Sequence, residues 1–298
     1  MSNTKRKGHG LTLSSRKMLV GWGFILPAAI LLLVFSFYPM FRAIMLSFQR
    51  GKGQNVSWYG LGNYTRILKD KTFRQAMFNT FCYLIIQVPL MLFLALILAS
   101  LLNNKDIRGK AIFRTMIFLP CATSLVSYSM IFRSIFSMEG LINMALTKLH
   151  LPAVGWFQNA WAARIVIIIA LIWRWTGYNM VFYLAGLQNI DYALYESARL
   201  DGCTFRQAFY HITIPLLRPT ILLTTIMSIN GTLQLFDESM NLTSGGPGIS
   251  TISMSHYIYN TSFVQNPNFY YSSALSVVIL IMVAVLSAIQ MKVGDKRD

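Results

Sequence analysis

From Met18 to Phe41 the chain carries no charged residue, and similar runs recur at 75–104, 115–132, 165–190, 219–236 and 274–291, the fourth broken only by Arg174. About 20 helical residues, at ~1.5 Å each, cross the ~30 Å hydrocarbon layer of a bilayer, where the backbone must satisfy its own hydrogen bonds. Six such runs predict an all-α integral membrane protein of six transmembrane helices. The spans are expected near 18–41, 75–104, 112–136, 164–187, 214–236 and 270–291, in one domain covering 18–291, with a basic leader 1–17 and a short tail 292–298.

Residues that are 55% apolar and only 12% charged exclude an ordinary soluble globule. The formal charge of +16 sits in clusters beside the apolar runs, with no basic stripe interleaved with aromatics, so it encodes membrane orientation and no nucleic-acid surface. With the leader inside, the inner segments carry Lys5, Arg6, Lys7, Arg16 and Lys17, then Lys105, Arg108, Lys110 and Arg114, then Arg199, Arg206 and Arg218, then Lys292, Lys296 and Arg297. The loop holding Arg50, Lys52, Arg66, Lys69, Lys71 and Arg74 votes the other way, while 237–270 holds no cation. Both termini are therefore expected on the cytoplasmic side.

The polar insert from Gln188 to Pro219, between the fourth and fifth runs, falls on that same side. Asp191 can cap a short helix carrying Tyr195, Glu196, Ser197, Ala198 and Arg199, and Asp201-Gly202 supplies the left-handed turn that ends it. Thr204 and Gln207 have capping-box spacing for a second helix with Phe205, Phe209 and Ile212 along one stripe. Pro215 and Pro219 are expected to close the element, which spans 191–212 and has the build of a helix pair for a groove on a partner protein.

Glu196, Ala198, Asp201 and Gly202, followed by Ile214-Pro215, resemble the EAA loop of ABC importer permeases, with departures at Ser197, Cys203 and Asp191. Further stretches are similar to the carbohydrate-uptake branch of that family: Gly60-Leu61-Gly62-Asn63-Tyr64, Phe118-Leu119-Pro120, Leu184-Ala185-Gly186-Leu187-Gln188 and Thr243-Ser244-Gly245-Gly246-Pro247. The layout looks most like the maltose-transporter subunit that holds the sugar, without that subunit's extra outer domain. The resemblance implies a sugar permease in a bacterial cytoplasmic membrane, importing di- or oligosaccharides. It also implies the partners: a second, similar permease, two cytoplasmic ATPase subunits and an extracytoplasmic solute-binding protein. ATP and Mg would be used by the ATPases, this chain binding no cofactor. The insert would couple to them, with Glu196 and Arg199 as polar contacts, Phe205 and Phe209 as apolar anchors and Gly202 as the elbow.

Carried over through Pro120, Gln188 and Gly245, the family's sugar-contacting positions fall at Cys121, Leu125, Trp175, Tyr178, Ser228, Gly231 and Thr232. Asn179 and Gln234 add amides to the same inventory of aromatic faces and polar rims that a sugar site uses. Arg174 should either face the bundle interior or snorkel to the surface, since a cation at bilayer depth costs at least ~2.5 kcal/mol. If it faces inward it could meet an anion, so glycerol phosphate or a uronic-acid oligosaccharide stays open as an alternative substrate.

Other functions lack their residues. Gly109-Lys110-Ala111 does not make an ATP-binding loop, and no nucleophile elbow or zinc-binding helix motif occurs. An ion-coupled secondary transporter needs acids inside the membrane, and the six runs hold none. Cys82, Cys121 and Cys203 lie in or beside apolar segments as inert thiols.

Overall fold

A computed structural model describes residues 13–52, 55–104, 107–264 and 266–294; most of the expected basic leader and the end of the tail lie outside the described residues. The chain is largely helical. Helix α1 (Leu13–Leu32) passes through a widened π turn (Leu33–Phe37) into α2 (Tyr38–Ser47). A hairpin of β1 (Gln49–Lys52) and β2 (Asn55–Trp58) follows, then α3 (Gly62–Lys69) and α4 (Lys71–Asn103). Next come α5 (Lys110–Ala122), α6 (Leu125–Ile135), α7 (Leu141–Lys148) and the long α8 (Ala160–Gln188). The remainder is α9 (Tyr192–Leu200), α10 (Phe205–Ala208), a second π turn (Phe209–Thr213), α11 (Ile214–Leu233), α12 (Asp237–Asn241), α13 (Met254–Tyr259), a third π turn (Asn260–Val264) and α14 (Phe269–Gly294).

Among the described residues, five helical stretches are long and apolar enough to cross a bilayer: Val20–Ser47, Lys71–Asn103, Ala160–Gln188, Arg206–Leu233 and Phe269–Gly294. The expected third span is not one helix. It is α5 and α6, bent by 98° at Thr123-Ser124. Both the backbone N–H and the hydroxyl of Thr123 donate to the Pro120 carbonyl, which closes α5, and Ser124 starts α6 with extended ψ. The hairpin also departs from an all-α chain. It depends on Gly51, where a Cβ would sit 2.3 Å from the Asn55 carbonyl oxygen, and on Trp58 stacking over Phe48 at 5.7 Å.

A second correction concerns the polar insert. Pro215 does not end its second helix: α10, the π turn and α11 form one continuous rod from Phe205 to Leu233. A proline lacks its N–H and crowds the carbonyl four residues back. The π turn at Phe209–Thr213 shifts that register just ahead of Pro215, and Leu33–Phe37 does the same ahead of Pro39. The chain solves the same steric problem twice with the same device.

The core is the seam between α4 and α8. Ala95 and Ala99, one turn apart on α4, let Met180, Tyr183, Leu184 and Leu187 of α8 approach closely. On its other side α8 meets α5 at Gly177, where a Cβ would lie 1.9 Å from the Ile117 carbonyl oxygen. Toward the other end of the bundle Asn79 accepts from the Arg164 Nε at 3.1 Å and donates to the Ile252 carbonyl at 2.9 Å.

Asp70 ties three helices together there. Its carboxylate caps α4 through the N–H groups of Thr72 and Phe73, and accepts from the Tyr257 and Tyr271 hydroxyls at 2.5 and 2.6 Å. Burial raises its pKa, but donation from Tyr257, Tyr271, Phe73 and Thr72 outweighs burial and leaves the group below its ordinary 3.8. A depressed carboxyl stabilises the fold above its unfolded pKa, and that contribution disappears as pH falls through the folded value. Asp70→Ala should therefore lower the thermal midpoint at neutral pH, losing about 1 kcal/mol from the cap alone. The deficit should shrink below pH ~4. A deficit that stayed constant from neutral to acid pH would contradict this role.

Candidate functional site

Three helix faces converge on one cavity of about 410 Å³. Leu171, Arg174, Trp175, Tyr178 and Asn179 recur on α8 at the spacing of a single face; Ser228, Gly231 and Thr232 do so on α11, and Gln87 and Met91 on α4. Leu125 enters from α6, while Gln234, Asp237 and Glu238 close the wall after α11. Of the pathway residues expected from sequence, all but Cys121 line this space: Leu125, Arg174, Trp175, Tyr178, Asn179, Ser228, Gly231, Thr232 and Gln234. Cys121 sits on α5 just before the bend that carries the chain away.

The lining is amphipathic in the way a polyol needs. Trp175 and Tyr178 meet edge to face at 5.7 Å, offering ring surfaces. Around them runs a polar chain: Thr232 donates to the Gln87 side-chain oxygen at 3.1 Å, the Gln87 amide reaches the Met91 sulfur at 3.0 Å, and Asn179 donates to the Trp175 carbonyl at 3.0 Å. Ser228 donates to Asn179 at 3.4 Å, a long bond that a ligand can replace. A Cβ on Gly231 would meet nothing within 4 Å, so this helix surface is open.

Arg174 resolves its two sequence-level alternatives: it is only 7% exposed and faces inward, its guanidinium carbon 4.8 Å from the centroid of the Tyr128 ring. Glu238, buried on α12, lies beside Tyr128 and Arg174. Burial pushes its carboxyl above the ordinary range despite the nearby Tyr128 hydroxyl and the attraction of Arg174. Sequence reasoning missed Gln87 and Glu238. Gln87 could have been found as the amide at the centre of the run 75–104; Glu238 lies just past the fifth run, and its burial depends on α12 folding back over α6 and α8.

A second locus lies at the ends of α4 and α8, where the polar insert packs. Asp191 accepts from the Ala193 N–H, starting α9. At the other end Gly202 has φ +78°, with its N–H on the Arg199 carbonyl and the Cys203 N–H on the Ala198 carbonyl, the paired closure of a left-handed helix end. Thr204 and Gln207 exchange their capping-box bonds at 2.8 and 3.4 Å. The Tyr195 hydroxyl bonds Thr213 at 3.0 Å, holding α9 against the widened turn. Between them and the α4 terminus is a cleft of about 190 Å³ lined in part by Ala198, Arg199, Cys203 and Phe209.

The outward face differs from the one expected. Glu196, Ser197, Arg199 and Asp201 are exposed, but Phe209 is half-buried in the chain's own cleft, and the Phe205 side chain lies outside the described residues. Among the described side chains of the insert, the exposed apolar groups include Leu200, 89% exposed, Leu194 and Tyr210. Leu200 was overlooked because it stands off the 205–209–212 stripe that the sequence advertises.

Over residues 92–295 the chain matches the family described as the binding-protein-dependent transport system inner membrane component. It is 48% identical over 281 residues to the lactose transport system permease protein LacF of Rhizobium radiobacter, covering 93% of this chain and 94% of that one. It is 34% identical over 292 residues to the arabinooligosaccharides transport system permease protein AraP of Halalkalibacterium halodurans, covering 97% and 92%. In fold it is similar to a chain of the bacterial alginate ABC transporter crystallised in complex with an alginate pentasaccharide-bound periplasmic protein, with a TM-score of 0.84 at 22% identity over 95% of this chain and 96% of that one.

Proposed function

Because the chain belongs to the family of binding-protein-dependent transport system inner membrane components, we propose that it is the sugar-conducting permease subunit of an ATP-driven importer. The family consists of multi-pass transport components and not of enzymes. Its relatives are named for lactose and for arabinooligosaccharides, which supports a di- or oligosaccharide as the solute here. The complex of the structural neighbour with a sugar-loaded periplasmic protein supports an extracytoplasmic binding protein as a partner. A second permease and two cytoplasmic ATPases, which would hold ATP and Mg, complete the proposed assembly in the lipid bilayer.

In this reading the chain crosses the membrane six times, the bent pair α5–α6 supplying the third crossing, with both termini and the 191–212 insert on the cytoplasmic side. The observation that carries it is the convergence of α4, α8 and α11 on one polar, aromatic cavity, with the insert joining α8 to α11. Since the insert's second arm and the cavity wall at Ser228 and Thr232 belong to one rod, movement of the arm is delivered to the cavity about 28 Å away without an intervening joint. Closure of the ATPases would push on the exposed face of α9, and the rod would tilt the wall.

Uptake of radiolabelled lactose and a panel of neutral di- and trisaccharides into vesicles holding the whole complex and its receptor tests the function; ATP-dependent uptake of none of them would refute it. At the coupling face, Leu200→Asp should weaken ATPase binding by about 2 kcal/mol, as loss of a central apolar anchor does. A titration of labelled ATPase onto the permease pair measures it, and equal affinities would remove Leu200 from the interface.

A further inference from the structure

The charged wall of the cavity goes beyond what coupling or lining requires. Arg174 has its Nε and Nη1 buried with no hydrogen-bond partner among the described residues, although a guanidinium offers five N–H donors in a fixed fork. The Tyr128 ring beneath it offsets the charge but does not saturate the fork. Glu238, 4% exposed, attracts Arg174 through space with no hydrogen bond between them, and Asp237 lines the same wall. Buried donors left open beside a carboxyl are a costly arrangement unless something enters and bonds to both.

We infer that Arg174 and Glu238 form a subsite that binds adjacent hydroxyls of an uncharged saccharide and selects against anionic ones. This rests on the reading of the cavity as the sugar pathway. A hydroxyl accepts from a guanidinium and donates to a carboxyl oxygen, ionised or not, so a vicinal diol satisfies both partners at once. A carboxylate or phosphate on the solute would meet one cation that shares its wall with two acids. With Glu238 ionised the wall is net negative, and with Glu238 neutral it is net neutral, so neither state attracts an anion. The orphaned fork thus serves uncharged solutes, and the glycerol phosphate and uronate alternatives are disfavoured. Trp175 and Tyr178 are placed to cover the C–H face of the same ring.

The test uses the assembled complex in nanodiscs, titrated with lactose and with its carboxylate analogue lactobionate, and read by tryptophan fluorescence and calorimetry. Wild type should bind lactose in preference to lactobionate. Arg174→Gln and Arg174→Lys should each weaken lactose by about ten- to a hundredfold, since loss of charge-assisted bonds has that size. Glu238→Gln should weaken lactose by about tenfold and move the preference toward lactobionate, an effect that a merely structural role does not produce. Should that variant fail to assemble, Asp237→Asn should still shift the preference in the same direction. An unchanged lactose-to-lactobionate ratio in every assembled variant, or a wild type that prefers lactobionate, overturns the subsite. Neither result touches the permease reading, which falls only if the wild-type complex takes up no sugar.

Discussion

Replacing Gly202 with valine is expected to abolish most sugar uptake while ATP hydrolysis by the bound ATPases continues. The residue sits at φ +78° with open space around it, so the substitution meets no neighbour and acts through the backbone alone. A left-handed conformation costs an ordinary residue about 1–2 kcal/mol, and more when the side chain is β-branched. That suffices to depopulate the closed helix end at Ala198 to Cys203 by roughly tenfold, leaving α9 misdirected on a rod that is otherwise intact. Parallel assays of ATP hydrolysis and vesicle uptake read the split. Gly202→Asn, which tolerates this region better, should recover part of the uptake. Equal uptake by wild type and the valine variant would remove the elbow from the mechanism.

Gly177 and Gly231 should part company when each is changed to valine. At Gly177 the new Cβ is aimed 1.9 Å from a backbone carbonyl oxygen of α5, which no rotamer change can relieve. Overpacking of this kind costs about 1–3 kcal/mol, and here it pries apart the helices that carry Ile117 and Trp175, so a lower thermal midpoint and loss of assembled complex are expected. At Gly231 a side chain enters empty space on a helix, and replacing an interior glycine relieves up to about 1 kcal/mol of helix cost, part of which the β-branch gives back. That variant should assemble with an unreduced midpoint yet conduct sugar poorly, because the added bulk stands in the cavity. Thermal unfolding beside uptake measures both. Full uptake by the Gly231 variant would show that the sugar passes elsewhere.

Local signals in the chain were dependable. Asp191, Gly202 and the Thr204–Gln207 pair each bond within a few residues, so composition and spacing determine them without the rest of the fold. The cavity positions on α8 and α11 were reached mainly through the family resemblance, with Asn179 and Gln234 added for their amides, and they line one cavity. What escaped depends on geometry that neighbours or backbone impose. The 98° bend lies in an uninterrupted apolar run with no glycine, and arises from two bonds by Thr123. Pro215 was expected as a stop because the widened turn that carries the helix past it has no composition of its own. Glu238 and Leu200 are neighbours in sequence to residues that were noticed, and only their opposite exposures separate a cavity acid from a docking tip.

That widened turn has a consequence for alignment. It holds one residue more than a regular turn, and one residue corresponds to about 100° of azimuth around a helix axis. Five residues, Phe209 to Thr213, therefore act as a collar on a shaft: they take up the extra residue within one turn, so the motor end and the conducting end keep their relative compass directions. Removing a single residue from the collar would let it close as a regular turn with the two ends nearly in phase, whereas removing one from the regular helix beside it would clock the shaft about a quarter-turn out of phase with the passage it drives.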